Sequence, residues 1–235
     1  MKLSPRLQAV LDMVEPCEVL ADIGCDHALL AIAAVRQGKA RHVFATDINL
    51  PPVLAAQRNV ATFGMEDSIS VVIGNGLNCL PAEALHQVVI AGMGGRLIRS
   101  ILEKAPAKEG VLPSSSRFIL QPMNHQVDLR LWLADAGWQV DKESIIHEKR
   151  HYYQIIAASP GAVPYKISWL TAYAGTCNLA GRKPEIQGFI NRGIAIRLEI
   201  LADLENGSSR DAERAKQIKT ELKALQEYVD AHEIC

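Results

Sequence analysis

From residue 17 to residue 137 short apolar runs alternate with helix-spaced segments, and this alternation fixes most of what the chain can fold into. Val19–Ile23, His42–Asp47, Ile69–Ile73, Val88–Ala91 and Arg117–Leu120 read as strands. Between and after them Ala28–Gln37, Val53–Phe63, Leu97–Lys104 and Val127–Ala136 carry apolar residues at helical spacing. Gly38, Gly64 and Gly137 stand where three of these helices stop. Near-continuous apolar strands that alternate with helices imply a parallel sheet covered on both faces. One more helix precedes the first strand: Ser4-Pro5 reads as cap and first helical position, and Leu7, Val10, Leu11 and Val14 follow at helical spacing.

After Gly137 the pattern changes. Trp138–Ile146 and Tyr152–Ala158 are two strand-like runs joined only by the charged stretch His147-Glu148-Lys149-Arg150, so they should pair as an antiparallel hairpin. Five parallel strands followed by a hairpin is the strand inventory of the class I methyltransferase sheet, a Rossmann-like α/β fold. A dinucleotide-binding sheet would finish with another parallel crossover. Pro160-Gly161 and Pro164 mark a boundary, giving a cofactor-binding domain over residues 1–160 and a second domain over 161–235. The latter has no strand pattern. Ile186–Leu204 and Ala212–Val229 are helix-spaced, and Asn206–Ser209 is a turn between them, which predicts a helical hairpin.

Composition excludes several classes. A net charge of −1 carries no global basic excess, so a nucleic-acid partner needs a local patch. Five cysteines with no C-x-x-C spacing argue against a disulfide framework or a cysteine zinc site and fit the cytoplasm. No metal is expected. Pro5, Arg6 and Asp12 interrupt the start, so no leader is expected, and no apolar run approaches the ~20 residues that span a bilayer. A monomer is the expected state.

The candidate site lies at the strand ends. Asp22-Ile23-Gly24-Cys25-Asp26-His27 follows the first strand. A glycine feeding a helix N-terminus lets backbone N–H groups approach a ligand. Of the three glycines of G-x-G-x-x-G only Gly24 is present. Asp22 and Asp26 would repel a pyrophosphate, yet they can accept from the amino group of S-adenosylmethionine. Asp47 ends the second strand, where a carboxylate can accept both ribose hydroxyls. Gly74-Asn75-Gly76 follows the third, where a polar side chain between glycines can read an adenine edge.

Read together, these stretches resemble the bacterial tRNA (adenine-22, N1) methyltransferases. The likeness rests on Leu3-Ser4-Pro5-Arg6-Leu7, Ala21-Asp22-Ile23-Gly24-Cys25-Asp26-His27-Ala28, Gly74-Asn75-Gly76-Leu77, Ile90-Ala91-Gly92-Met93-Gly94-Gly95 and Leu120-Gln121-Pro122. Trp132-Leu133 and the Tyr152-Tyr153 hairpin also fit, over roughly residues 3–158. The resemblance implies S-adenosyl-L-methionine as cofactor, tRNA as partner and methylation of adenine N1. It implies that Asp22, Gly24, Asp26, Asp47, Ile48, Asn75, Gly76, Ala91, Gly92 and Met93 line the cofactor. Arg6, Gly94, Gly95, Arg96 and Gln121 are expected with the substrate, together with Arg182 and Lys183 from the basic stretch over residues 166–197. Asn75 stands where the family usually carries Asp, and Gln121-Pro122 is followed by Met123-Asn124.

Adenine N1 has its own lone pair, so the reaction needs positioning more than a strong base. Asp26 and then Asn124 are candidates to stabilise the cationic product, and His27 to relay a proton from the exocyclic amine. His27 is equally readable as a helix N-terminal residue bonded to backbone, and the glycine run as plain close packing. Lys166, Arg182, Lys183, Arg192 and Arg197 against Glu185 make a basic stretch able to follow phosphates, with Trp169 and Tyr173 able to stack on a base or to fill a core. His147-Glu148-Lys149-Arg150-His151 matches a zinc-protease motif, but its strand-like flanks deny it the helix that the motif requires. Two other readings stand beside tRNA methylation: a methyltransferase of a small molecule or protein, and a noncatalytic RNA-binding module.

Overall fold

The computed structural model describes residues 1–80, 85–104, 116–181, 184–204 and 209–232. They fall into two compact units, Met1–Lys166 and Ile167–Cys235.

The first unit is built on one seven-stranded sheet. In chain order its strands are β1 (Cys17–Ile23), β2 (Ala40–Asp47), β3 (Ile69–Ile73), β4 (Gln87–Met93), β5 (Arg117–Pro122), β6 (Trp138–Glu148) and β7 (His151–Pro160). Their order across the sheet is β3-β2-β1-β4-β5-β7-β6. The first five run parallel, and β7 is antiparallel to both β5 and β6. The order reverses between β1 and β4, and ligands of open α/β sheets bind beyond the strand ends at such a reversal.

The apolar strands alternate between two cores, as a period of two demands. Leu20, Val89 and Ile119 face one layer, which also holds α1 (Pro5–Met13), α2 (Leu29–Arg36) and α3 (Leu50–Thr62). Their neighbours Ala21, Val88, Ile90, Phe118 and Leu120 face the other, with α4 (Gly95–Glu103) and α5 (Gln126–Asp135). Phe118 meets Trp138 edge-on at 4.9 Å. A buried ion pair, Arg130 Nε to Glu143 Oε1 at 2.7 Å, joins α5 to β6, and Arg130 Nη1 reaches Gln154 on β7 at 2.6 Å.

Helix starts follow local chemistry. Ser4 caps α1 through its hydroxyl, which accepts from the Leu7 N–H at 3.3 Å, and Pro5 begins the helix. The helix α3 begins at Leu50, three residues before the sequence expectation. Pro51 and Pro52 fall in its first turn, where a missing N–H costs no hydrogen bond. The hairpin turn is shorter than expected: β6 runs through Glu148 and β7 starts at His151, leaving Lys149 and Arg150 between them. His147 pairs with Tyr152 and Glu148 with His151 across the hairpin, so the zinc-protease motif spans the turn and the strand ends beside it, with no helix.

The second unit is helical. It contains α6 (Trp169–Ala174), α7 (Thr176–Gly181), α8 (Pro184–Leu204) and α9 (Ser209–His232). Of these α6 and α7 were not expected, being too short to show a period. Of the turn expected over Asn206–Ser209, residues 206–208 lie outside the described residues, and Ser209 is already the first residue of α9. Trp169, Tyr173 and Phe189 stack in sequence at 5.0 and 4.7 Å. Arg197 lies over Trp169 and Tyr173 and pairs with Glu221 at 2.8 Å, which ties α8 to α9. Gly193 leaves room for the Tyr173 hydroxyl, which would stand 2.5 Å from a Cβ there.

Candidate cofactor and active site

The C-terminal ends of β1, β2 and β4 surround a cavity of about 400 Å³. Asp22, Gly24, Cys25, Asp26 and His27 come from β1 and its loop, Asp47 from β2, and Ala91–Met93 from β4. Arg6 and Leu7 of α1 close one side. A second cavity of about 250 Å³ shares Gly24, Asp47 and Met93 with the first. Ile48, Leu97 and Ile101 give it apolar walls, and Gly74, Asn75 and Gly76 line it from the end of β3. Such a pair, one polar and one apolar, suits a ligand with a charged end and a flat end.

Asp22 is the most constrained of these groups. It is 4% exposed, and its carboxylate accepts from the Ala31 N–H in the first turn of α2. Its Oδ2 has no hydrogen-bond partner among the described residues. Burial pushes the carboxyl up to about 7, against the lowering effect of the Ala31 bond. One oxygen of Asp22 is thus tied to the start of α2, and the other has no partner among the described residues. Cys25 beside it is pushed up to about 12 by burial and then by the charges of Asp22 and Asp47, so it stays a thiol.

The loop after β1 turns back on β2. The N–H groups of Gly24 and Cys25 both donate to the Thr46 carbonyl, at 2.7 and 2.8 Å. These two donors are spent within the sheet, and what Gly24 adds to the cavity is instead the space it leaves. Its φ is +75°, and a Cβ there would collide with the end of the Met93 side chain. Asp26 and His27 stand at the rim, more than half exposed, with His27 Nε2 3.6 Å from Asp26 Oδ1.

A bulge shapes the far side. The β4–β5 register shifts between Ala91 and Met93, leaving Gly92 as the extra residue with φ +79°. Its N–H donates to Gln121 Oε1 at 3.2 Å. The same oxygen accepts from Arg6 Nη1 at 2.5 Å, and the Arg6 guanidinium lies over the Tyr153 ring. Gln121 is fully buried and holds both groups in place.

The structure sorts the remaining sequence candidates. Asp22, Gly24, Asp26, His27, Asp47, Ala91, Gly92, Met93 and Arg6 share the larger cavity. Ile48, Asn75 and Gly76 line the smaller. Gly94 and Gly95 pack against the β5–α5 loop: Cβ atoms there would stand 2.9 Å from Asn124 Oδ1 and 2.5 Å from the His125 carbonyl. Asn124 thus sits against Gly94, outside the residues that line either cavity. Arg96 pairs with Asp128 at 3.2 Å in a separate groove between α4 and α5. Arg182 and Lys183 lie outside the described residues. Arg197 and Tyr173 prove to be internal to the helical unit; the Arg197 side chain is 11% exposed. Sequence reasoning missed Thr46, Leu97 and Ile101 as lining residues, since they carry no signal beyond ordinary strand and helix patterning.

Residues 3–156 match the methyltransferase domain family. Over 161 residues the chain is 39% identical to the tRNA (adenine(22)-N(1))-methyltransferase of Bacillus subtilis strain 168. That stretch is 68% of this chain and 66% of the relative, just under two thirds of its length. The crystal structure of the B. subtilis M1A22 tRNA methyltransferase TrmK superposes with a TM-score of 0.85 at 29% identity, covering 97% of this chain and 99% of that one. Sp1610 of Streptococcus pneumoniae, crystallised with S-adenosyl-L-methionine, gives a TM-score of 0.83 at 30% identity over 97% of this chain and 99% of its own.

Proposed function

The chain belongs to the methyltransferase-domain family and, within it, to the tRNA (adenine-22, N1) methyltransferases; on that premise we propose that it methylates N1 of adenine 22 in tRNA. The observation that carries the reading is the buried Asp22 carboxylate, whose orphaned oxygen lies at the switch point of a class I methyltransferase sheet.

The residues fit S-adenosylmethionine, the cofactor of this family. Asp22 Oδ2 offers an acceptor for an ammonium group, and Gly24 leaves a cradle that a side chain would fill. Asp47 stands where both cavities meet, suited to ribose hydroxyls, and Ile48, Leu97 and Ile101 suit the faces of an adenine. When bound, this cofactor supplies a methyl group on a sulfonium. The protein has no need to deprotonate the target, because N1 attacks with its own lone pair. Its task is to hold the base in line and to stabilise the positive charge that the base acquires. Asp26 at the cavity rim is the proposed stabilising anion, with His27 taking a proton from the exocyclic amine. Asn124, against Gly94, approaches from the β5 side.

We assign the helical unit, with exposed Arg192 on α8, to tRNA contact, and the chain to the cytoplasm as a monomer. No helix among the described residues is long and apolar enough to cross a membrane. The test is reverse transcription of a tRNA transcript treated with protein and cofactor. An N1-methyl blocks the pairing edge of adenine, so the expected result is a new stop at position 22 that disappears when the base is changed to guanine. Full-length read-through on every tRNA would refute the assignment.

A further inference from the structure

The His147-Glu148-Lys149-Arg150-His151 stretch has no helix, and the described residues contain no group of three or more His, Cys, Asp or Glu that could hold a metal ion. Its place in the sheet is more informative. β7 pairs with β5 only from Ala158 to Ile156, and β5 ends two residues past Leu120 at Pro122. Residues 147–153 therefore project beyond the C-terminal end of β5, the end of the sheet at which the larger cavity opens. Tyr153 ties the hairpin to that cavity, since it lies under Arg6, which lines it.

The projecting tip carries rings and cations. His147 and Tyr152 stand directly opposite each other and stack at 4.4 Å with planes 18° apart. On the other face His151 and Tyr153 meet at 6.1 Å. His147, Lys149, Arg150 and His151 are exposed. The acid of the stretch, Glu148, accepts the Arg6 backbone N–H at 3.1 Å. Neither Lys149 nor Arg150 has an ion pair among the described residues. Lys149 also holds φ +58° in a two-residue turn, a conformation that glycine and asparagine take at less cost. The turn thus keeps a charge where a neutral residue would be more stable.

Flat rings beside uncompensated cations match a nucleobase and its phosphate. A protein partner would call for an apolar centre, and the exposed residues here are histidines and cations. The reaction itself creates a need for such a contact. N1 lies on the pairing edge of adenine, so the target must leave its pair and its stack, and a neighbouring base loses a stacking partner. We propose that the hairpin tip replaces that partner: His147, backed by Tyr152, stacks on an unpaired base next to the target adenine, while Lys149 and Arg150 hold its flanking phosphates. This rests on the tRNA methylation reading above and deepens it, giving the cofactor-bearing unit an RNA contact of its own.

The test is tRNA binding by the whole chain, read by fluorescence anisotropy on an unmodified tRNA transcript. His147→Ala should weaken it about 5–100-fold, the range of one base–aromatic stack, and His147→Phe should keep most of the affinity. Lys149→Gly should be at least as stable as the wild type, yet bind several-fold more weakly and lower the slope of log affinity against log salt by about one. In all three variants the melting temperature should not fall and S-adenosylhomocysteine affinity should not change, which a loss of fold would not allow. The proposal is overturned if His147→Ala and Lys149→Gly bind tRNA as the wild type does, if His147→Phe is as weak as His147→Ala, or if His147→Ala loses self-association rather than tRNA affinity. A wild type that binds S-adenosylhomocysteine but no tRNA would remove the tRNA reading itself.

Discussion

The buried amide of Gln121 receives the Gly92 N–H at 3.2 Å, so that β5 holds the bulge at the end of β4 from behind. The same amide oxygen receives Arg6, which links the first helix to the bulge. Gln121→Leu keeps the volume and leaves both donors without their acceptor. The expected loss is about 1–3 kcal/mol, or several degrees in Tm for a chain of this size. Gln121→Glu keeps an acceptor for both donors and should hold the fold, while the new charge behind the Gly92 bulge should change S-adenosylhomocysteine affinity. Scanning fluorimetry and calorimetry read the two effects separately.

Asp22 makes cofactor binding depend on pH. Its carboxyl is pushed up to about 7, so below that value the free protein carries it neutral. A cationic amino group binds the charged form. Affinity for S-adenosylhomocysteine should therefore rise as pH increases towards 7 and level off above it, with proton release on binding. The stability of the free protein runs the other way. A folded-state value raised above the usual carboxylate range gives a contribution that is complete at about pH 4 and lost as pH rises through 7. Asp22→Asn should flatten both profiles, which titrations in buffers of different ionisation heat would show.

Gly24→Ala tests the cradle. The added Cβ must displace the end of Met93, and φ +75° disfavours alanine. Met93 is flexible at its end, so the fold should survive with a cost of about 1 kcal/mol. Its displaced methyl moves within space shared by both cavities, and cofactor affinity should fall at least about tenfold. Unchanged affinity would mean that the ligand does not pass over Gly24.

Two arginines on α8 should behave in opposite ways. Arg197→Ala leaves Glu221 buried without its partner and should cost about 3 kcal/mol in urea denaturation. Arg192→Ala, on an exposed position, should leave stability unchanged. If α8 contacts tRNA it should weaken binding several-fold and reduce the salt dependence by about one counter-ion.

The parallel part of the sheet was legible because its strands are apolar runs and three of its four crossovers have helical spacing. Gly24, Asp47 and Gly76 could be placed at strand ends for the same reason. Element ends were harder: Pro51-Pro52 reads as a break although a first helical turn tolerates it. What escaped was pairing at a distance. Nothing in the residues around Arg197 announces Glu221, 24 positions later, so a structural cation read as part of an RNA-facing stretch. The same holds for Arg6 and Gln121, which meet across 115 positions.

The most direct test is methyl transfer from labelled S-adenosylmethionine to unmodified tRNA transcripts, followed by nucleoside mass spectrometry. The account predicts label in 1-methyladenosine, lost when adenine 22 is replaced and lost again with Asp22→Asn at neutral pH. Label in another nucleoside, or transfer only to protein or small-molecule acceptors, would contradict it.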